Sequence, residues 1–92
     1  MIESKNGHVL NTSLLKHKQL IEHIVKALVD HPDKVTVTTK STPEGNPEII
    51  IQVDEKDLGK VIGKNGQTIK SIRGLVNVLK ESKQEILVDV TT

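Results

Sequence analysis

The sequence predicts one α+β domain in which three helices pack on one face of a three-stranded sheet, in the order α-β-β-α-α-β. Two observations support this fold class. Apolar residues recur every three to four positions in two segments, as in amphipathic helices, and three short runs rich in Val, Ile and Thr have the composition of strands. With 92 residues, 35% of them hydrophobic, the chain can build one small core.

The first helix is predicted from paired apolar residues between Leu14 and Val29, which follow a polar segment, 11–13, that can supply an N-cap. We expect this helix to end near His31, because Pro32 disfavours helical geometry in the residue before it.

Two strands are predicted next. Residues 34–40 alternate apolar and polar side chains, many of them β-branched, and residues 48–53 are mostly apolar. The segment 41–47 contains two prolines and a glycine, which is typical of a turn. Because this separation is short, we expect the two strands to form an antiparallel hairpin.

A short helix is predicted from Glu55 to about Ile62. Asp54 is a natural N-cap for it, and Asp57, three positions later, resembles the partner residue of a capping box. We therefore expect the Asp57 side chain to lie at this helix start.

A longer helix is predicted from about Gln67 to residue 80 or 81. Its apolar stripe is expected to face the core and consists of Ile69, Ile72, Val76 and Leu79. The apolar segment 86–90 then predicts the third strand.

Two glycines, Gly63 and Gly66, bracket Lys64 and Asn65 at the junction of the two predicted helices. Glycine adopts positive φ at little cost, and without side chains the turn lets a phosphodiester backbone approach the peptide closely. The helix that follows aims its unpaired N–H groups at the same place. Such a turn therefore suits a nucleic-acid strand.

Positive charge is concentrated around this turn. The segment 58–80 contains no acidic residue and carries +5, whereas the whole chain carries +1, so the other residues sum to −4. The five cations are Lys60, Lys64, Lys70, Arg73 and Lys80. Such a polarised surface is expected at a site for a polyanion. The alternative is a solvated helix face with ordinary lysines.

The chain has no Phe, Tyr or Trp, so it cannot stack bases on aromatic rings as many single-strand binders do. We therefore expect binding at a single site to be weak. The chain also has no Cys, which excludes disulfides and thiolate metal sites.

Enzyme classes find no support in the sequence. Lys64 stands where the second glycine of a phosphate-loop NTPase would be needed after Gly59, and Val61 stands where a dinucleotide fingerprint needs its first glycine. The histidines are not spaced as a metal site and are interpreted as solvated: His8, His17, His23 and His31. We expect no catalysis, cofactor, metal or small-molecule substrate.

No apolar run approaches the roughly 18 residues that span a bilayer, and the N-terminus lacks the pattern of a signal peptide. The expectation is a soluble, cytoplasmic protein with no membrane partner.

The element order, with Val61-Ile62-Gly63-Lys64-Asn65-Gly66 between the second and third helices, resembles a type II KH domain, the bacterial form of the K-homology fold. The resemblance covers residues 14–91 and implies that the three-stranded sheet is mixed. A chain that is one such domain is similar to the KhpA family of small bacterial RNA-binding proteins. On this basis we expect the KH domain to span 12–92, with 1–11 as a disordered N-terminal extension.

The resemblance implies that a groove beside the glycine turn holds about four nucleotides of single-stranded RNA. Lys64 would be the phosphate cation and Asn65 a hydrogen-bonding partner. The implied RNA-binding residues are Lys60, Ile62, Gly63, Lys64, Asn65, Gly66, Gln67, Lys70 and Arg73. Three aliphatic side chains are left open as groove or core residues, namely Ile62, Val61 and Ile69. Lys70 and Arg73 fit RNA contact and a solvated face equally well.

The resemblance also implies a role as a post-transcriptional regulator or RNA chaperone, linked in some bacteria to cell shape, and pairing either as a homodimer or with a larger KhpB-type KH protein. Helix geometry places Leu75 and Val78 off the buried stripe, and the adjacent Gly74 would let another helix approach closely. These three residues are the predicted dimer interface. The alternative function is a protein-interaction adaptor with little RNA binding of its own.

Overall fold

The computed structural model describes residues 16–80 and 85–92. In chain order the elements are helix α1, described over residues 16–28, strands β1 (Thr36–Ser41) and β2 (Pro47–Gln52), helices α2 (Leu58–Ile62) and α3 (Gln67–Leu79), and strand β3 (Leu87–Thr91). The predicted fold class and element order are confirmed. The predicted extension 1–11 and N-cap 11–13 lie outside the described residues.

The sheet has the strand order β1-β2-β3. β1 and β2 are antiparallel, with Val37 opposite Ile51, whereas β2 and β3 are parallel, with Ile49 opposite Val88. The sheet is therefore mixed, as predicted. A parallel pair needs a crossover connection, and α2 and α3 supply it between β2 and β3.

The core lies between one face of the sheet and the helices. Because side chains alternate along a strand, every second residue of β2 points inward, and Ile49 and Ile51 are fully buried. The helices contribute their own apolar stripes, which consist of Ile21 and Val25 in α1, Val61 in α2, and Ile69, Ile72 and Val76 in α3. On the opposite face of the sheet, Thr38 and Asp89 are exposed.

Two details of the helices differ from the sequence prediction. α1 ends at residue 28, three residues earlier than expected, although the N–H of Val29 still donates to Val25 O at 3.2 Å. The predicted buried stripe of α3 includes Leu79, but this residue is 45% exposed. Leu79 is the last residue of α3, and Lys80 already has extended backbone geometry, so the stripe ends one turn earlier, at Val76.

Candidate nucleic-acid interface

The turn between α2 and α3 depends on a backbone conformation that glycine adopts almost alone. Gly63 has φ 78° and ψ 169°. Its N–H donates to Gly59 O at 2.8 Å, which closes α2, and its carbonyl accepts from the N–H of Gly66 at 3.0 Å. A Cβ atom placed on Gly63 would lie 2.7 Å from Thr68 Cβ and 2.8 Å from Thr68 N. Both backbone conformation and space therefore require glycine here.

Two further residues of the turn have left-handed backbone geometry. Asn65 has φ 57° and ψ 26°, and Gly66 has φ 71° and ψ 16°. Asn is among the few non-glycine residues that tolerate this region. The turn delivers the chain directly into α3, whose N-cap is Gly66 and therefore has no side chain to accept from the first N–H groups. The N–H of Gln67, the first residue of α3, donates to Lys64 O, and no side chain caps the helix start.

The predicted site residues nearest the turn are at the surface. Lys64, Asn65, Gln67 and Lys70 are all exposed. Lys70 leans over the turn, since its Cε atom lies 3.8 Å from the position that a Cβ on Gly66 would occupy. The turn thus combines bare backbone with two exposed cations and two exposed amides.

Burial distinguishes core from groove residues among the three aliphatic side chains for which the sequence allows both. Val61 and Ile69 are buried in the core cluster, whereas Ile62 is partly buried and packs against it. Of these three, Ile62 is the side chain with surface available to a ligand.

The Arg73 side chain binds β3 and not the glycine turn. Its Nη2 atom donates to Val88 O at 3.1 Å. One turn further along α3, the Asn77 side chain donates to Ile86 O and accepts from Ile86 N–H, both at 3.0 Å. Two side chains of α3 therefore bind the backbone of the β3 segment, and Arg73 is shared between this role and any ligand.

Sequence reasoning missed Asn77. The one signal for it was an amide residue in the interior of a helix, where Asn is unfavourable unless its side chain finds a partner.

The chain is similar to a known family over most of its length. The sequence profile described as "KhpA/KhpB, KH domain" matches residues 18–91. The chain belongs to this family. RNA-binding protein KhpA of Leifsonia xyli subsp. xyli is 45% identical over 71 residues, which cover 76% of this chain and 90% of that protein. RNA-binding protein KhpA of Thermotoga maritima is 41% identical over 73 residues, which cover 79% of this chain and 96% of that protein.

No solved structure matches the chain significantly. In the described part of the chain, no helix has the length and apolar character needed to cross a membrane.

In this KhpA/KhpB-family domain, Lys60 is engaged within the protein. Its Nζ atom donates to Asp30 Oδ2 and lies 3.9 Å from Asp57 Oδ1. The hydrogen bond to Asp30 raises the pKa of Lys60 despite the opposing effect of desolvation. Lys60 therefore joins α2 to the residues that follow α1.

Asp57 lies beneath this pair and is 1% exposed. Its carboxylate accepts hydrogen bonds from the backbone N–H of Asp30 at 3.2 Å, from the backbone N–H of His31 at 3.0 Å, and from His31 Nδ1 at 3.0 Å. Burial raises the pKa of Asp57, but the hydrogen bonds from His31 and Asp30 outweigh it and hold the pKa below its ordinary value.

The capping-box interpretation of Asp57 is therefore wrong. Asp54 does cap the turn Glu55–Asp57, since its side chain accepts from Lys56 N–H at 2.8 Å. Asp57, however, accepts from residues 26 and 27 positions earlier in the chain, because the turn after α1 packs against the start of α2 and presents two N–H groups there.

The interpretation of the histidines as solvated is wrong for His17, which is 8% exposed, with Nε2 3.4 Å from Leu79 O. The His31 side chain is 41% exposed, although its Nδ1 is bonded to Asp57. His23 is exposed, and His8 lies outside the described residues. Within residues 16–80 and 85–92, no three metal-ligating side chains come together.

Gly63→Ala tests the requirement for glycine in the turn. We expect it to lower the free energy of unfolding by about 1–3 kcal/mol from the backbone conformation alone, with the crowding against Thr68 added to this. Gly59→Ala is the matched control, because an added Cβ there meets no atom within 4 Å and φ is not positive. We expect it to leave stability unchanged or raise it by up to about 1 kcal/mol. Urea unfolding followed by circular dichroism measures both, and equal midpoints would contradict the requirement.

The pH dependence of stability tests the ionised state of Asp57. Because its pKa is lowered in the folded protein, its contribution is complete above the ordinary value of 3.8 and is lost as the pH falls through the lower folded value. We expect wild type to melt higher than Asp57→Asn by on the order of 5–10 °C near neutral pH. This gap should shrink as the pH is lowered below about 4. A gap that stays constant down to about pH 2 would show that the carboxylate charge does not matter.

Proposed function

We propose that this chain binds single-stranded RNA at the Gly63–Gly66 turn, with the sugar-phosphate backbone lying across the turn and the start of α3. The observation that carries the proposal is the left-handed turn itself, which leaves Lys64 and Asn65 exposed beside helix N–H groups that have no side-chain cap. The relatives at 41–45% identity are named RNA-binding proteins, which supports the same function.

The proposed contacts differ in strength along the site. Lys64 and Lys70 supply cations to the phosphates, Asn65 and Gln67 supply uncharged hydrogen bonds, and Ile62 offers an aliphatic surface to a base. Gly63 and Gly66 allow close approach. Lys60 and Arg73 already donate to Asp30 and Val88, so we assign them weaker direct contacts. Without aromatic side chains the affinity stays in the range of non-specific binding, roughly 10⁻⁴ to 10⁻⁶ M.

At the cellular level we propose a post-transcriptional regulator or RNA chaperone that works as a homodimer or with a KhpB-type KH protein. Two weak sites on one particle raise the overall affinity without new contacts. The pairing surface is the outer face of α3, where Val78 is 80% exposed, Leu75 is 41% exposed and Gly74 leaves open space. The same exposed face supports the second candidate function, a protein-interaction adaptor.

Replacing both residues at the tip of the turn tests the RNA proposal. We expect Lys64→Asp/Asn65→Asp to weaken binding of labelled single-stranded RNA at least tenfold, because it removes one cation and adds two carboxylates, a charge change of −3, where the phosphates lie. Fluorescence anisotropy over a salt series measures this. The dependence of log affinity on log salt should also become shallower, by roughly the one phosphate contact that Lys64 makes.

The control is Lys16→Asp/Gln19→Asp, which changes the net charge by the same amount. Both residues are exposed on α1, near His17, which contacts Leu79 at the far end of α3 from the turn. We expect this variant to bind RNA within a few-fold of wild type. Equal loss in the two folded variants would reduce the effect to net charge and would favour the adaptor function.

Leu75→Glu and Val78→Glu test the pairing surface. Each places a charge where an apolar contact is proposed, so we expect the sedimentation coefficient to fall from that of a dimer to that of a monomer while the circular dichroism spectrum is unchanged. Thr38→Glu, exposed on the open face of the sheet, is the control and should sediment as wild type does. Wild-type sedimentation by Leu75→Glu would reject this surface.

A further inference from the structure

One buried carboxylate connects the turn after α1 to the helix that ends in the glycine turn. Asp57 immediately precedes α2. Its two oxygens receive three hydrogen bonds of 3.0–3.2 Å from Asp30 and His31, and Oδ1 also lies 3.9 Å from Lys60 Nζ. RNA binding as proposed above gives this group no contact with the ligand, so it needs another explanation.

The hydrogen bonds to Asp57 satisfy backbone groups that have left the helical pattern. α1 ends at residue 28, and beyond that end the N–H groups of Asp30 and His31 donate to Asp57. Polar backbone groups in partly buried positions require partners. Asp57 accepts from both N–H groups. The position of the start of α2 therefore depends on the turn that follows α1.

α2 is too short to hold its own orientation. It has five residues, fewer than an isolated helix needs to be stable, so contacts at its start and at Val61 must orient it. From Asp57 to Gly63 the helix rises about 9 Å, at 1.5 Å per residue, so a tilt of about 10° at the start moves Gly63 by roughly 1.5 Å. A shift of that size is half of a hydrogen-bond length at the turn.

We propose that Asp57 is a positioning residue for RNA binding, whose contacts with Asp30 and His31 set the orientation of α2 and thereby the placement of the Gly63–Gly66 turn. The proposal rests on the proposed function of that turn. Lys60 belongs to the same arrangement, because its ammonium group bridges Asp30 and Asp57 from α2. Its role in RNA binding is then exerted through α2 more than through phosphate.

The experiment compares Asp57→Asn with a control of matched stability. Asn keeps the shape of the side chain but turns an NH₂ group toward donors that need an acceptor. Val37→Ala is the control, because Val37 is a buried core residue on the outer strand β1, and β1 pairs with β2 and not with β3. Thermal unfolding curves of wild type and both variants identify a temperature at which all three proteins are fully folded.

Two readouts separate positioning from stability. The first is the RNA dissociation constant over a salt series, which we expect to rise between about 2-fold and 30-fold in Asp57→Asn, the usual range for coupling between distant residues. The salt dependence should keep its wild-type slope, since no phosphate contact is removed. The second is the set of backbone amide chemical shifts of residues 63–66, which should move in Asp57→Asn and stay in place in Val37→Ala.

His31→Ala provides a second variant that removes one of the three hydrogen bonds and leaves both backbone donors. We expect it to shift the same amides in the same direction by a smaller amount, and it carries the test if Asp57→Asn does not fold. Wild-type shifts at residues 63–66 in the folded variants, with RNA affinity no weaker than that of Val37→Ala, would overturn the positioning role. Absence of RNA binding by wild type would instead reject the proposed function, while the amide shifts would still decide whether Asp57 positions the turn.

Discussion

The structure depends on the burial of the inward face of β2. Ile49 and Ile51 are fully buried, and β2 is hydrogen-bonded to β1 on one side and to β3 on the other. Burying side chains of this size contributes about 1.5–3 kcal/mol each, and the helices gain comparable amounts by covering the same face. Because β2 and β3 are parallel, the chain has to cross over between them, and the two helices of that crossover carry the glycine turn. The position of the turn is thus a consequence of the sheet.

At the turn, the backbone conformation and the chemistry of the surface have one cause. Gly63, Asn65 and Gly66 all have positive φ, and the two glycines leave bare backbone on either side of the exposed residues Lys64 and Asn65. α3 begins directly after this turn without a side-chain cap, and the exposed Lys64 side chain lies beside its start. A surface of this kind favours an extended anion whose backbone can lie close to the peptide.

Electrostatics at the site is less uniform than the count of charges indicates. Of the five cations in the segment 58–80, Lys60 is paired with Asp30 and Arg73 donates to the backbone of β3. Lys64 and Lys70 form no salt bridge with any other described residue. Lys64 and Lys70 at the turn thus carry charge that is not paired within the described residues, whereas Lys60 and Arg73 also hold α2 and β3 in place.

Local sequence determined much of this protein. The periodicity of apolar residues, the turn-forming prolines and glycines, and the Gly-Lys-Asn-Gly segment were enough to predict the element order, the β1–β2 hairpin and the location of the turn, because each depends on residues close together in the chain. The parallel pairing of β2 with β3 joins distant residues, and only the family resemblance implied it. Tertiary structure alone decided what depends on packing between distant segments. Asp57 receives its hydrogen bonds from residues 26 and 27 positions away, Arg73 and Asn77 bind the β3 segment, and His17 is buried against the end of α3. The local sequence around a polar residue is the same whether its side chain faces water or a buried donor. Only the folded arrangement of its neighbours therefore distinguishes a surface charge from a group that holds two elements together.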